Sequence, residues 1–234
     1  MAGSLTLGVL GGMGPAATLE FLAKLQAYTP AEADQDHIRV LVDINPQVPD
    51  RNTPGSLAGP VLAEMAGALA GAGAQVLAIA CNTAHAYAGL IQRACGLPLV
   101  DMIETGAQAA ARSGAMRAGV LGTRGALKLY REYLAAQAMG LVTLGAEDQE
   151  RFMALLYRIK AGDVGAEAKA EMAELAKALA ADGAEAVIAG CTEVPLVLKP
   201  ADLRGVEFID PGDLLARRCV AVCLGMEPAP AAPG

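Results

Sequence analysis

A chain of 234 residues with 54% hydrophobic side chains can bury one large core or two small ones; with 3% aromatic residues and no Trp, those cores must be built from Ala, Val, Leu and Ile. A formal net charge of −7 argues against general binding to nucleic acid or an anionic membrane surface, while leaving room for a local basic pocket. Five widely spread cysteines, an odd number, make no framework of short-range disulfides and point to a reducing cytoplasm.

The first residues, Met1 to Gly8, lack the charged start and apolar run of a secretory leader, and no apolar stretch approaches the ~20 residues that span a bilayer. With two His in all, and Cys81 and His85 the only close Cys/His pairing, a structural metal site is not expected.

Leu5 to Leu10 reads as a first strand, Gly11-Gly12-Met13-Gly14 as a glycine turn, and Pro15 as the first turn of a helix running to Tyr28. Ile38 to Ile44 reads as the second strand. The three prolines in Asn45 to Gly55 leave a loop at that strand's carboxyl end, a candidate ligand loop carrying Arg51. A helix is predicted over Val61 to Ala72, a buried strand over Val76 to Ala80 leading into Cys81, a helix to about Ala94, a short strand over Leu99 to Met102 and a helix over Ile103 to Arg112. Ser113-Gly114 punctuates the chain and is read as the domain boundary, giving a first domain at 1–113 and a second at 114–210.

In the second half, helices are predicted over Arg124 to Met139, Asp148 to Lys160 and Ala166 to Asp182. Strands are predicted over Leu141 to Leu144, over the run into Cys191, and over Val206 to Asp210. A last helix, 211–225, is expected to pack back on the first domain, and the Pro- and Ala-rich segment 226–234 to fray.

The halves echo each other. Gly8-Val9-Leu10-Gly11 recurs as Gly119-Val120-Leu121-Gly122, and Gly73-Ala74 stands as far before Cys81 as Gly183-Ala184 stands before Cys191. An internal duplication explains both recurrences at nearly one period. The fold class expected is therefore α/β: two similar, pseudo-symmetric domains, each a parallel sheet flanked by helices.

Cys81 and Cys191 each end an apolar strand, the end where open α/β sheets bind ligands. Either could be an inert core cysteine. Together, each followed by hydroxyl or amide residues suited to a helix start (Asn82, Thr83; Thr192), they suggest thiols activated at helix N-termini. Those three residues could equally be plain caps. His85, one turn beyond Cys81, either tunes that thiol or is a satisfied structural histidine, and Glu193 either activates Cys191 or is an ordinary first-turn carboxylate. Cys219 and Cys223, four apart on one helix, read as packing. Gly12-Met13-Gly14-Pro15-Ala16-Ala17 fits a dinucleotide fingerprint, with Asp43 as ribose ligand; it also reads as a plain turn, or as one offering N–H groups to a small anion. Arg51 and Lys160 are either solvated or partners for a substrate carboxylate.

Four segments, GVLGGMGPAAT near the start, NPQVPDR in the proline loop, ACNTAH around Cys81 and AGCTEVPL around Cys191, resemble the aspartate/glutamate racemase family, most closely its aspartate racemase branch. The resemblance covers nearly the whole chain. It implies a cytoplasmic, cofactor-independent amino-acid racemase without metal, usually a homodimer, acting on a small acidic amino acid in the cleft between two α/β domains. By that resemblance Cys81 and Cys191 are the acid/base pair. Met13, Gly14, Arg51, Asn82, Thr83, Thr123, Lys160 and Thr192 bind the substrate, and His85 and Glu193 stand behind them. Two positions depart from the family pattern: Asn52 follows Arg51 where many relatives have Thr, and Ala126 stands where many have Thr or Ser. Either changes what is offered to a side-chain carboxylate.

Overall fold

The computed structural model describes residues 4–203 and 205–233. The leader reading given above begins on residues 1–3, and the tail reading ends on residue 234; these lie outside the described residues. Among the described residues, strands and helices alternate in two compact units, one running up to Met102 and resuming at Gly212, the other Ile103–Pro211. No helix among the described residues is long and apolar enough to cross a membrane.

In the first unit, strands β1 (Leu7–Gly11), β2 (Val40–Ile44), β3 (Val76–Ile79) and β4 (Leu99–Val100) form a parallel sheet in the order β2-β1-β3-β4. The period of two divides the strand residues between the faces of the sheet. Leu7, Val9, Val76 and Ala78 pack with Phe21 and Leu25 of helix α1 (Pro15–Tyr28), whereas Leu10, Leu77, Ile79 and Cys81 pack with Leu62, Met65 and Leu69 of helix α2 (Ala58–Gly71) and Ile91 of helix α3 (Ala88–Cys95). Helix α2 starts three residues before its predicted start because Pro60 falls in the first turn, where a missing N–H costs nothing.

The second unit comprises helix α4 (Met102–Arg112, entering it at Ile103), strand β5 (Arg117–Val120), helix α5 (Arg124–Ala136), strand β6 (Gly140–Val142), helices α6 (Ala146–Lys160) and α7 (Ala166–Ala181), strand β7 (Ala186–Ile188), the single-turn helix α8 (Val194–Val197) and strand β8 (Glu207–Ile209). Its parallel sheet runs β6-β5-β7-β8, the first sheet's order repeated. The two-domain parallel α/β fold read from the sequence is the one observed.

The repeated glycine has a packing cause. A Cβ at Gly8 would stand 2.8 Å from Leu77 Cδ2 and 2.9 Å from Ala74 Cβ, and one at Gly119 would stand 2.9 Å from Ala184 Cβ and 3.0 Å from Leu179 Cβ. In both units the alanine that follows the crossover helix lies on the strand too closely for a side chain, joined by Leu77 of β3 in the first unit and by Leu179 of α7 in the second. Gly119→Ala is therefore expected to cost about 1–3 kcal/mol by overpacking, read as a lower urea midpoint at unchanged m-value.

The compact units divide the chain elsewhere than the boundary read at Ser113-Gly114. The units part after Met102, not at Ser113-Gly114, because α4 packs within the second unit: a Cβ on Gly106 would meet Tyr130 Oη at 3.0 Å and Pro211 Cγ at 3.1 Å. Ser113-Gly114 only closes that helix, with Gly114 at φ +83°. The last helix, α9 (Pro211–Cys223), lays Leu215, Cys219, Val220 and Cys223 against Leu7, Val9 and Phe21 of the first unit. The Leu5 amide bonds the Cys223 carbonyl at 2.8 Å, and the Tyr28 hydroxyl donates to Asp213, whose carboxylate also takes Arg217 Nε at 2.9 Å.

Candidate active site

In the first unit the glycine turn after β1 is closed by its own chain. Gly12, at φ +92°, donates its N–H to Thr18 Oγ1 at 3.0 Å, and a Cβ there would lie 2.4 Å from the Asn45 carbonyl carbon. The close approach that glycine permits is thus taken by the end of β2, which leaves that space to no pyrophosphate and that N–H to no small anion. Met13 is buried, and its carbonyl accepts Arg51 Nη2 at 3.1 Å, while Arg51 Nη1 reaches the carbonyls of Val48 and Pro49 at 3.4 and 3.3 Å. Among the described residues no carboxylate pairs with Arg51, and its Nε is buried without a partner. Backbone carbonyls orient this guanidinium without cancelling its charge, which suits it to an incoming anion. Asp50 Oδ1 clamps the loop beside it, accepting both the Asn52 amide (2.9 Å) and Asn52 Nδ2 (3.0 Å).

Cys81 shares an apolar cluster with Met13 and Val48, so the loop that holds Arg51 and the strand that carries Cys81 meet in one core. The residues after Cys81 do not open an α-helix. Thr83–Tyr87 is a 3-10 segment, α3 begins only at Ala88, and no side chain caps the segment at Asn82. Likewise Cys191 is followed by the four-residue α8. The helix start expected after Cys81 is therefore a 3-10 segment, a tight turn that buries Asn82, Thr83 and His85, and the one expected after Cys191 is a single turn with Glu193 at its N-cap.

His85 settles its own ambiguity. The Met102 amide donates to Nε2 at 3.1 Å, so Nε2 carries no proton, and Nδ1 donates to the Cys81 carbonyl at 2.9 Å. This assigns a neutral Nδ1–H imidazole with both nitrogens committed to backbone. His85 positions the Cys81 turn and does not reach the thiol.

In the second unit Glu193, 2% exposed, joins three other residues singled out in the sequence. Its Oε2 accepts the Cys191 thiol at 3.0 Å and the Thr192 hydroxyl at 3.3 Å, and its Oε1 takes Lys160 Nζ at 2.5 Å. Lys160, closing α6, thus has a carboxylate partner within its own unit, and Thr192 bonds Glu193 where a helix cap was expected. Thr123 stands apart as the side-chain cap of α5, accepting the Ala126 amide at 3.2 Å.

Sequence reading missed Gln149. It lies on the buried face of α6 with Phe152 and Leu156 and donates Nε2 to the Gly122 carbonyl at 3.1 Å, bracing the turn after β5. A polar residue in register with that apolar stripe was the available signal.

The remaining cysteines are packing residues. Cys95 Sγ bonds the Ile91 carbonyl at 3.2 Å, and burial foremost pushes the Cys219 thiol well up and the Cys223 thiol up to about 11. No group of three His, Cys, Asp or Glu among the described residues is placed to hold a metal.

Comparison with known proteins agrees with this layout. The chain is 36% identical over 159 residues to a glutamate racemase of Pseudomonas paraeruginosa, a stretch taking in 62% of this chain and 57% of that protein, less than two thirds of the relative's length. The structure of the Picrophilus torridus aspartate racemase superimposes with a TM-score of 0.81 at 25% identity, covering 94% of both chains. The glutamate racemase of Francisella tularensis, solved with D-glutamate, shares the fold with a TM-score of 0.69 at 19% identity, over 95% of this chain and 82% of that one. The Asp/Glu/hydantoin racemase family pattern matches residues 10–219, from the end of β1 into α9, and the chain belongs to that family.

Proposed function

We propose that this protein is a cofactor-independent racemase of acidic amino acids, interconverting L- and D-aspartate by removing the Cα proton on one face and returning a proton on the other. The observation that carries this reading is the matched pair of thiols: Cys81 and Cys191 follow corresponding strands of two sheets of the same order, and are 5% and 6% exposed. In this reading the two cysteines serve opposite faces of the substrate's Cα. One thiolate takes the Cα proton while the opposite thiol delivers its own, so the two exchange protonation states at each inversion.

The Cα proton is weakly acidic, and the barrier lies in the negative charge that spreads onto the α-carboxylate. Arg51, unpaired by any carboxylate among the described residues, supplies the compensating charge in the first unit. Lys160 supplies it in the second as a cation shared between Glu193 and the substrate. Met13, Gly14, Asn82, Thr83, Thr123 and Thr192 line the substrate in this reading, although Thr123 spends an oxygen lone pair on the α5 cap.

Glutamate is the second reading, favoured by the 36% identity to a protein named glutamate racemase. Incubation of each enantiomer of aspartate and glutamate in deuterium oxide, followed by mass spectrometry and chiral chromatography, tests both. Deuterium at Cα with decay of optical purity is expected for aspartate. The same result confined to glutamate would transfer the assignment, and saturable binding without exchange of any amino acid would make the protein a binder of acidic metabolites.

A further inference from the structure

We propose that Glu193 sets the polarity of the thiol pair, holding Cys191 as the protonated acid and leaving the opening proton abstraction to Cys81; this rests on the racemase reading above. The Cys191 thiol donates to Glu193 Oε2 at 3.0 Å, while Lys160 Nζ lies 2.5 Å from the other oxygen of the same carboxylate. A carboxylate is a far weaker base than a thiolate, so the shared proton stays on sulfur. Ionising Cys191 then means placing a second negative charge against a buried carboxylate.

Cys81 has no such neighbour. Its thiol has no carboxylate partner among the described residues, and the one histidine nearby is neutral and bonded to the Cys81 carbonyl. The two units repeat each other in strand order and in the placing of the cysteines, yet differ in the group set against each sulfur. Of the two forms a racemase must cycle through, the one with thiolate on Cys81 and proton on Cys191 is therefore the more populated. The other form is reached by turnover and reverts as Cys191 recovers its proton.

Both cysteines are about equally exposed, at 5% and 6%, so alkylation of the ligand-free protein reports thiolate fraction more than access. Iodoacetamide at neutral pH, with each site quantified by peptide mass spectrometry, is expected to modify Cys81 about tenfold or more faster than Cys191. Glu193→Gln should raise the Cys191 rate about tenfold and close the gap, whereas Lys160→Met, which leaves the carboxylate in place, should keep Cys191 slow. Persistently slow labelling of Cys219 and Cys223 certifies that each variant is folded.

Equal rates at the two sites in the unmodified protein would overturn the proposal. So would a Cys191 rate unmoved by Glu193→Gln, or one raised equally by Lys160→Met. In turnover, an equilibrium constant of one requires equal kcat/KM for the two enantiomers, so the asymmetry is expected as unequal kcat matched by unequal KM, narrowing in Glu193→Gln. Unequal alkylation with no Cα exchange of any amino acid would sink the racemase reading and the acid and base roles with it, whereas Cα exchange with equal alkylation would sink only the polarity.

Discussion

Cys81→Ala and Cys191→Ala are each expected to lower racemisation by about 10³-fold or more, because inversion needs a proton acceptor on one face and a donor on the other, and each contributes a factor of about 10²–10⁴. The losses should differ in kind. With one cysteine left, the enzyme can take a proton from one enantiomer and return a solvent-derived one to the same face, so each variant should exchange Cα hydrogen for deuterium in one enantiomer without inverting it. The enantiomer served should switch between the two variants. Both sulfurs sit in apolar clusters, and removing one costs about 1 kcal/mol of packing, which a urea titration will separate from catalytic loss. Racemisation surviving within tenfold in both variants would remove the two-thiol mechanism.

Much of the fold was legible because a parallel sheet writes itself into sequence as short apolar runs separated by helical patterns, and this chain writes the pattern twice. The Gly-Val-Leu-Gly repeat proved legible for a definite reason: at Gly8 and Gly119 the equivalent alanines, Ala74 and Ala184, lie too close to the strand for any side chain, so the same residue recurs where the same packing recurs. The division between units was misread because glycine marks helix ends whether or not a domain ends there. Ser113-Gly114 closes α4, whereas the actual division, after Met102, carries no local signal at all. What assigns α4 to the second unit is the packing of Gly106 against Tyr130 and Pro211, residues far along the chain.

At the candidate site, residue identity was legible and hydrogen-bond partnership was not. Cys191 and Glu193 are neighbours in sequence, so their contact could be weighed in advance, but Lys160 reaches Glu193 only because the end of α6 is brought to the turn after β7. The helix starts expected after both cysteines followed from Asn, Thr and Glu being good first-turn residues. Tertiary packing overrode that propensity, turning the chain through a 3-10 segment in one unit and a single helical turn in the other. His85 was ambiguous in sequence because one histidine can tune a thiol or brace a turn. Its two backbone partners, Cys81 and Met102, decide for bracing.

Arg51→Met is expected to raise KM for the acidic substrate by about 10–100-fold and to lower kcat as well, since a charge-assisted hydrogen bond to an ionised group is worth about 1.5–3 kcal/mol and this one strengthens as charge moves onto the carboxylate. The structure adds a second loss. The guanidinium spans the Met13 carbonyl on one nitrogen and those of Val48 and Pro49 on another, so it ties the proline loop to the glycine turn as well as serving a ligand. Arg51→Lys separates the two roles: an ammonium keeps the charge but cannot bridge these carbonyls from two nitrogens while presenting a planar fork. The lysine variant should therefore recover only part of the affinity, while hydrogen exchange across residues 45–57 should rise in both variants alike. A lysine variant with unimpaired KM would reduce Arg51 to a source of charge. Wild-type KM and kcat in Arg51→Met would remove it from substrate binding and leave the second unit's Lys160 as the cation that the reaction depends on.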